Sequence, residues 1–168
     1  MQLLARKLGK AHKHDLLICT RDDGSVTQVH MPRQGVLPHD LVHCVVESAL
    51  PFRHGFLSQV ADGASIAFDA GVSYLAGPER HVVESGQVES IVEALQSQLW
   101  AGTFDRSAFL EGLRLACASR KLPEPDLPAL AFETLLFERA VQLNAQWMQL
   151  APQQTMTLVF ERRAVATG

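Results

Sequence analysis

The stretch Leu16-Leu17-Ile18-Cys19-Thr20-Arg21-Asp22-Asp23-Gly24-Ser25-Val26-Thr27-Gln28-Val29 decides the fold. Two short apolar runs, 16–19 and 26–29, flank Arg21–Ser25. Asp-Gly between two such runs is a strong hairpin signal, because glycine supplies the positive φ that a tight turn requires. Residues 2–8 read as an additional strand. At the other end, Gln154–Arg163 alternates, with Met156, Leu158 and Phe160 on one side and Thr157, Val159 and Glu161 on the other. The two ends of the chain can therefore meet in one antiparallel sheet of about four strands.

Between these ends the periodicity becomes helical. Phe52–Val60 is a short helix closed by Asp62-Gly63, and Ala64–Pro78, with Gly71 and Gly77, is a loop. Gln87–Trp100 carries Val88, Ile91, Val92, Leu95 and Leu99 at helical spacing. Asp105 caps a further helix with an inner face of Phe109, Leu110, Leu113 and Cys117. Pro123, Pro125 and Pro128 mark a linker. Asp126 then caps a long helix reaching Met148, whose core stripe is Phe132, Leu135, Leu136, Ala140, Leu143 and Trp147. There is no internal repeat. The expected class is α+β: a small antiparallel sheet, made by the N-terminal hairpin and the C-terminal strand, with a bundle of about four to five helices inserted between.

Composition narrows the function classes. At 168 residues, the chain is read as one domain, 1–168. Its 47% hydrophobic and 20% charged content is that of an ordinary folded protein. The net charge of −3, with no basic block beyond Arg162-Arg163, argues against a nucleic-acid partner. No apolar run reaches the length of a membrane span. Cys19, Cys44 and Cys117 show no CxxC spacing, which fits a reducing, cytoplasmic setting, and Cys44 reads as a small buried thiol. Residues 1–14 carry Arg6, Lys7, Lys10 and Lys13 without acids, a faint likeness to a transit peptide; the preferred reading is an exposed strand. A homodimer and a small-molecule ligand are both compatible with these bounds.

The chemistry concentrates in Pro38-His39-Asp40-Leu41-Val42-His43-Cys44-Val45-Val46-Glu47. With His39 at zero on a helical wheel, His43 falls at about 40°, Glu47 at about 80° and Asp40 at about 100°. Leu41, Val42, Val45, Val46 and Ala49 fall opposite, so the helix buries one side and presents the other. Pro38 suits a first helical turn and Pro51 ends the pattern. Imidazoles and carboxylates on one face are donors for a divalent metal such as zinc. His39 and His43 are about 6 Å apart along the axis, within reach of one ion, whereas His39 and Glu47 are about 12 Å apart. His39 and His43 are therefore the first ligand candidates. Asp40 is a further ligand or a water-activating base. Glu47 orients His43 or acts as an acid or base.

Further ligands must come from elsewhere. His54 ranks first, then Glu79 and His81, with Glu84 in the same cluster. His30 ends a strand just before the connector Met31–Leu37. Glu133 and Glu138 lie on the long helix, where they point to different sides. His12 and His14 sit among lysines and read as solvent-exposed. In the connector, Arg33 beside a helix N-terminus can hold an anionic group; the plainer reading is a loop held by Pro32 and Gly35 with a solvated arginine.

His39-Asp40-Leu41-Val42-His43 resembles the HDxxH zinc motif of the ubiquinone-biosynthesis protein family that acts on the quinone ring precursor. The resemblance implies zinc held by His39, Asp40, His43 and a later glutamate. That family places its glutamate twelve residues after the second histidine, where this chain has Gly55; Glu47 lies four residues after it. The segment Met31–Gly63 also resembles a recurring segment of uncharacterised bacterial proteins. Zincin proteases use HExxH, with Asp40 standing at the position of their glutamate. An HD-type phosphohydrolase arrangement would draw on His30, His39-Asp40 and Asp62 or Asp69.

The expected function is a divalent-metal protein, with His39, His43 and His54 as ligands and Asp40 and Glu47 as catalytic groups, carrying out hydrolysis or lyase chemistry on a small molecule. The alternative is a non-catalytic binding or assembly module whose His/Asp/Glu face is structural or solvated.

Overall fold

The computed structural model describes residues 1–66, 79–127 and 132–162. Four strands, β1 (Gln2–Arg6), β2 (His14–Thr20), β3 (Val26–Pro32) and β4 (Thr155–Val159), form one antiparallel sheet in the order β3-β2-β1-β4. Both ends of the chain meet there, with Leu3 opposite Leu158 and Ala5 opposite Met156. The hairpin forms as expected: Thr20 pairs with Val26, and Gly24 turns the loop at φ +82°. β1 is not an exposed strand. It lies between β2 and β4, and Leu3 and Ala5 are fully buried, because two neighbours occupy both of its hydrogen-bonding edges.

The helices among the described residues are α1 (His39–Ala49), α2 (Phe56–Ala61), α3 (Glu79–Ala101), α4 (Arg106–Ser119) and α5 (Arg139–Gln149). The α+β class with inserted helices is thus the observed architecture. The inner sheet face, with Leu17, Cys19, Met31 and Met156, shares one apolar core with Leu41, Val42 and Val46 of α1 and Ile91, Val92 and Leu95 of α3.

Three helices differ from expectation for physical reasons. α3 starts at Glu79, so Gly86 lies inside the helix instead of before it. A Cβ at Gly86 would stand 2.2 Å from Leu122 Cδ1, which explains a glycine in a helix interior that normally disfavours one. In α4, Phe109, Leu113 and Cys117 point inward, while Leu110 is 39% exposed. Asp105 caps this helix as expected, accepting from the Ala108 N–H at 2.9 Å. α5 is preceded by a π-helical stretch, Glu133–Glu138. Phe132, Leu136 and Ala140, four residues apart, are buried across this stretch and its two ends. Glu133 and Glu138 are exposed. The loop expected at 64–78 and the positions Asp69, Pro128 and Arg163 lie in part or wholly outside the described residues.

No helix among the described residues is long and apolar enough to cross a membrane.

Candidate metal centre

The two-sided picture of α1 needs correction. α1 packs on α3 with its polar stripe, so His43 is 2% exposed and Glu47 is fully buried. A hydrated polar face is thereby excluded for these two residues. Buried polar side chains require partners, and each one here has them.

His39 and His43 converge on Glu89 of α3. His39 Nε2 is 3.0 Å from Glu89 Oε1, and His43 Nε2 is 3.0 Å from Glu89 Oε2. The rings stand edge to face, with centroids 5.0 Å apart. One donor atom from each of His39, His43 and Glu89 lies within 4.8 Å of the others. The His39 side chain is 29% exposed, so this residue opens the group toward solvent.

The opposite ring nitrogens are also held. His39 Nδ1 lies 2.9 Å from Gln96 Oε1. The amide orientation of Gln96 is fixed by its NH2 group, which donates to Gln34 Oε1 at 2.6 Å and to the Leu37 carbonyl at 3.1 Å. Oε1 therefore accepts, and His39 Nδ1–H donates. His43 Nδ1–H donates to Glu47 Oε1 at 3.1 Å. Both rings thus keep their Nε2 atoms for Glu89. A neutral ring in this tautomer directs a lone pair at a carboxylate oxygen, which repels it. Positive charge must lie between them, either as a second proton on each ring or as one metal ion.

Glu47 has no lone pair to spare. Beyond His43 it accepts from the Leu57 N–H at 2.9 Å, the Ser58 N–H at 3.0 Å and the Ser58 hydroxyl at 2.9 Å. It therefore holds the start of α2 as well as the His43 ring. Gly55 makes room for it: a Cβ there would lie 2.4 Å from both Glu47 Cδ and Oε2.

The electrostatics follow from burial and these contacts. Burial disfavours charge on His43, yet the hydrogen bonds to Glu47 and Glu89 prevail and push it up to about 10. Burial likewise works against Glu89 ionisation, but the two histidines hold its carboxyl well below the usual range. Asp40 is not in the donor group. Burial raises its carboxyl above the ordinary value, and the charge of the two imidazoles offsets this only in part.

The other candidates lie elsewhere. His54 stacks on His81 with ring centroids 3.5 Å apart, and its N–H donates to Glu84 at 2.8 Å. Glu79 is exposed. His12, His14 and His30 are exposed, His14 and His30 meeting edge to face. Arg33 is solvent-exposed, as its plainer reading had it, and it is already paired: its Nε and Nη2 donate to the buried Asp15 carboxylate at 3.0 and 2.7 Å. Cys19, Cys44 and Cys117 are buried free thiols, as read for Cys44.

Sequence reasoning missed Glu89 and Gln96. Being seven residues apart, they share a helix face to within about 20°, next to the apolar stripe of Val88, Val92 and Leu95. A polar pair at that spacing beside a core stripe was the available signal.

Compared with known protein families, with curated proteins and with solved structures, the chain matches none.

Proposed function

We propose that this is a divalent-metal protein, with zinc as the metal and His39, His43 and Glu89 as ligands, acting in hydrolysis or lyase chemistry on a small molecule. One observation carries the reading: the Nδ1 atoms of both imidazoles are engaged by Gln96 and Glu47, and both Nε2 atoms converge on one carboxylate, so that three donors lie within 4.8 Å of one another. Two nitrogens and one carboxylate are the donor set of zinc sites that keep a position open for water or substrate. Glu47 and Gln96 supply the outer hydrogen bonds that ligand histidines ordinarily have. Glu89 and Glu47 bring two negative charges, so a divalent ion leaves the buried group neutral, which low-dielectric surroundings favour. Ligand bonds of about 2.0–2.2 Å need nitrogen and oxygen about 3.4 Å apart in tetrahedral geometry, a few tenths more than the present 3.0 Å spacing.

The ion would supply Lewis acidity toward a carbonyl or a water molecule. Of the two carboxylates read as catalytic, Glu47 has its acceptor positions filled and serves to orient His43. Asp40, outside the ligand group yet within the electrostatic reach of both rings, is the residue left to take or give a proton. The likeness to HDxxH supports zinc at the two histidines, with Glu89 in place of the missing later glutamate.

The second reading, a structural ion cluster in a non-catalytic module, has the 3.0 Å spacings in its favour, which are hydrogen-bond distances. Metal analysis of tag-free protein separates the two. The metal reading expects one divalent ion per chain, lost in His39→Ala and Glu89→Gln, and a raised Tm when zinc is added to stripped protein. No stoichiometric ion and an unmoved Tm would establish the cluster reading.

A further inference from the structure

A groove bordering the start of α1 offers an inference that does not rest on the metal reading. It measures about 250 Å³ and runs between the β1–β2 connection, the β3–α1 connector and the end of α5. Its walls include Leu8, Val36, Pro38, Met148 and Leu150, with Trp147 among the lining residues. Its charges are Lys7, Lys10 and Arg33 against the single carboxylate of Asp15, in a chain whose net charge is −3. Arg33 is already paired with Asp15, and Lys7 Nζ stands 5.5 Å over the Trp147 ring and donates to the Met148 carbonyl at 3.4 Å. Lys10 is exposed and has no ion-pair partner among the described residues. Met148, on the wall of this groove, is 52% exposed.

We infer that this groove binds a small apolar carboxylate, its headgroup at Lys10 and its tail along Val36, Pro38 and Met148. Charge decides the headgroup: with Arg33 neutralised by Asp15, Lys7 and Lys10 leave the groove net positive, and Lys10 beside apolar walls favours an anion with a hydrocarbon body over a neutral or cationic one. Volume decides the size, because drug-sized ligands fill pockets of about 300 Å³ and upward, so the occupant is smaller.

The test uses octanoate below its micelle concentration, with 1-octanol as the uncharged probe. It is run in chelator so that no carboxylate can bind a metal, and in the Trp100→Phe protein so that Trp147 alone reports by fluorescence. The expected result is a saturable signal with a Kd below about 1 mM. Octanol should bind about tenfold more weakly, and so should octanoate to Lys10→Glu. Unchanged circular dichroism and Tm for Lys10→Glu show that the fold is intact. Octanoate without a saturable signal, or binding Lys10→Glu equally, overturns the proposal. Equal affinity for octanol overturns it in favour of a neutral occupant. A dimer that octanoate dissociates assigns the groove to a second copy of the chain and overturns it too.

Discussion

Gly55 lies directly against the Glu47 carboxylate, closer than any side chain at that position would allow. Glu47 joins three things at that point: the N-terminus of α2, the Ser58 side chain and the His43 ring. Gly55→Ala must therefore displace a buried, fully hydrogen-bonded carboxylate. We expect a loss of about 2–3 kcal/mol in chemical denaturation, well above the effect of an ordinary Gly→Ala change. On the proposed metal reading, zinc affinity should fall in parallel, because the His43 ring loses its anchor. A variant as stable as the parent would show that Glu47 has another place to go.

The two histidines should separate stability from binding. His43 sits buried between two carboxylates, so His43→Ala leaves Glu47 and Glu89 without their common partner. Breaking a buried pair in this way costs about 3 kcal/mol or more. His39 is partly exposed, and His39→Ala should cost about 1 kcal/mol or less in metal-free protein. On the proposed metal reading, both variants should also lose the ion. Equal destabilisation by the two, measured in chelator, would contradict the burial argument.

Gln96 is expected to act on the ring of His39, and its NH2 group also ties α3 to the β3–α1 connector. Its two amide hydrogens go to Gln34 and Leu37, which leaves its oxygen for the ring. Gln96→Leu removes that acceptor and frees the ring to change tautomer. Zinc affinity should drop about 10- to 100-fold, the usual consequence of losing an outer hydrogen bond to a ligand histidine. Gln96→Glu keeps the acceptor for the ring but sets a carboxylate oxygen against the Leu37 carbonyl, so it should recover only part of the affinity. A competition titration with a chromogenic chelator reads both.

The sheet and most helices were legible because their signals are local. Asp23-Gly24 between two apolar runs specifies a turn, and Met156, Leu158 and Phe160 repeat every second residue. The histidine pair was legible for the same reason, since one turn of helix places both rings together. Glu89 and Gln96 were not, because nothing local shows which helix α1 will pack against. His54 illustrates the converse. It is near the pair in sequence, but Leu50 and Pro51 end α1, and the chain carries His54 to the start of α3, where it stacks on His81. The π-helical stretch left no trace, because the four-residue spacing of Phe132, Leu136 and Ala140 suits an ordinary α-helix equally well.

Asp15 and Arg33 form the pair that ties the β3–α1 connector to the sheet. Asp15 is 2% exposed and accepts from Arg33 and from the Leu8 N–H at 2.8 Å. Arg33→Ala leaves that carboxylate with one donor and should cost about 2 kcal/mol, tempered by the partial exposure of the arginine. Asp15→Asn in the same chain should restore part of it, since the buried charge is then gone. Urea titrations of the two single variants and the double variant measure the coupling.

The last expectation concerns alkaline pH. Burial, with a smaller contribution from Asp40, pushes the Cys19 thiol from an ordinary 9.0 up to about 12. Below pH 9.0 both folded and unfolded chains keep this proton, so it has no effect on stability. Above it the unfolded chain releases the proton while the native state holds it until about 12, so stability falls across that window. The slope from one proton is about 1.4 kcal/mol per pH unit. Cys19→Ala should start from a lower stability, because it leaves a cavity beneath the sheet, yet decline less steeply between pH 9 and 12 by that one proton. Native Cys19 should also resist alkylation at pH 8 and react once urea unfolds the chain, since the thiolate is the reactive form. Rapid labelling of Cys19 in the folded protein would mean that the sheet opens far more readily than its packing implies.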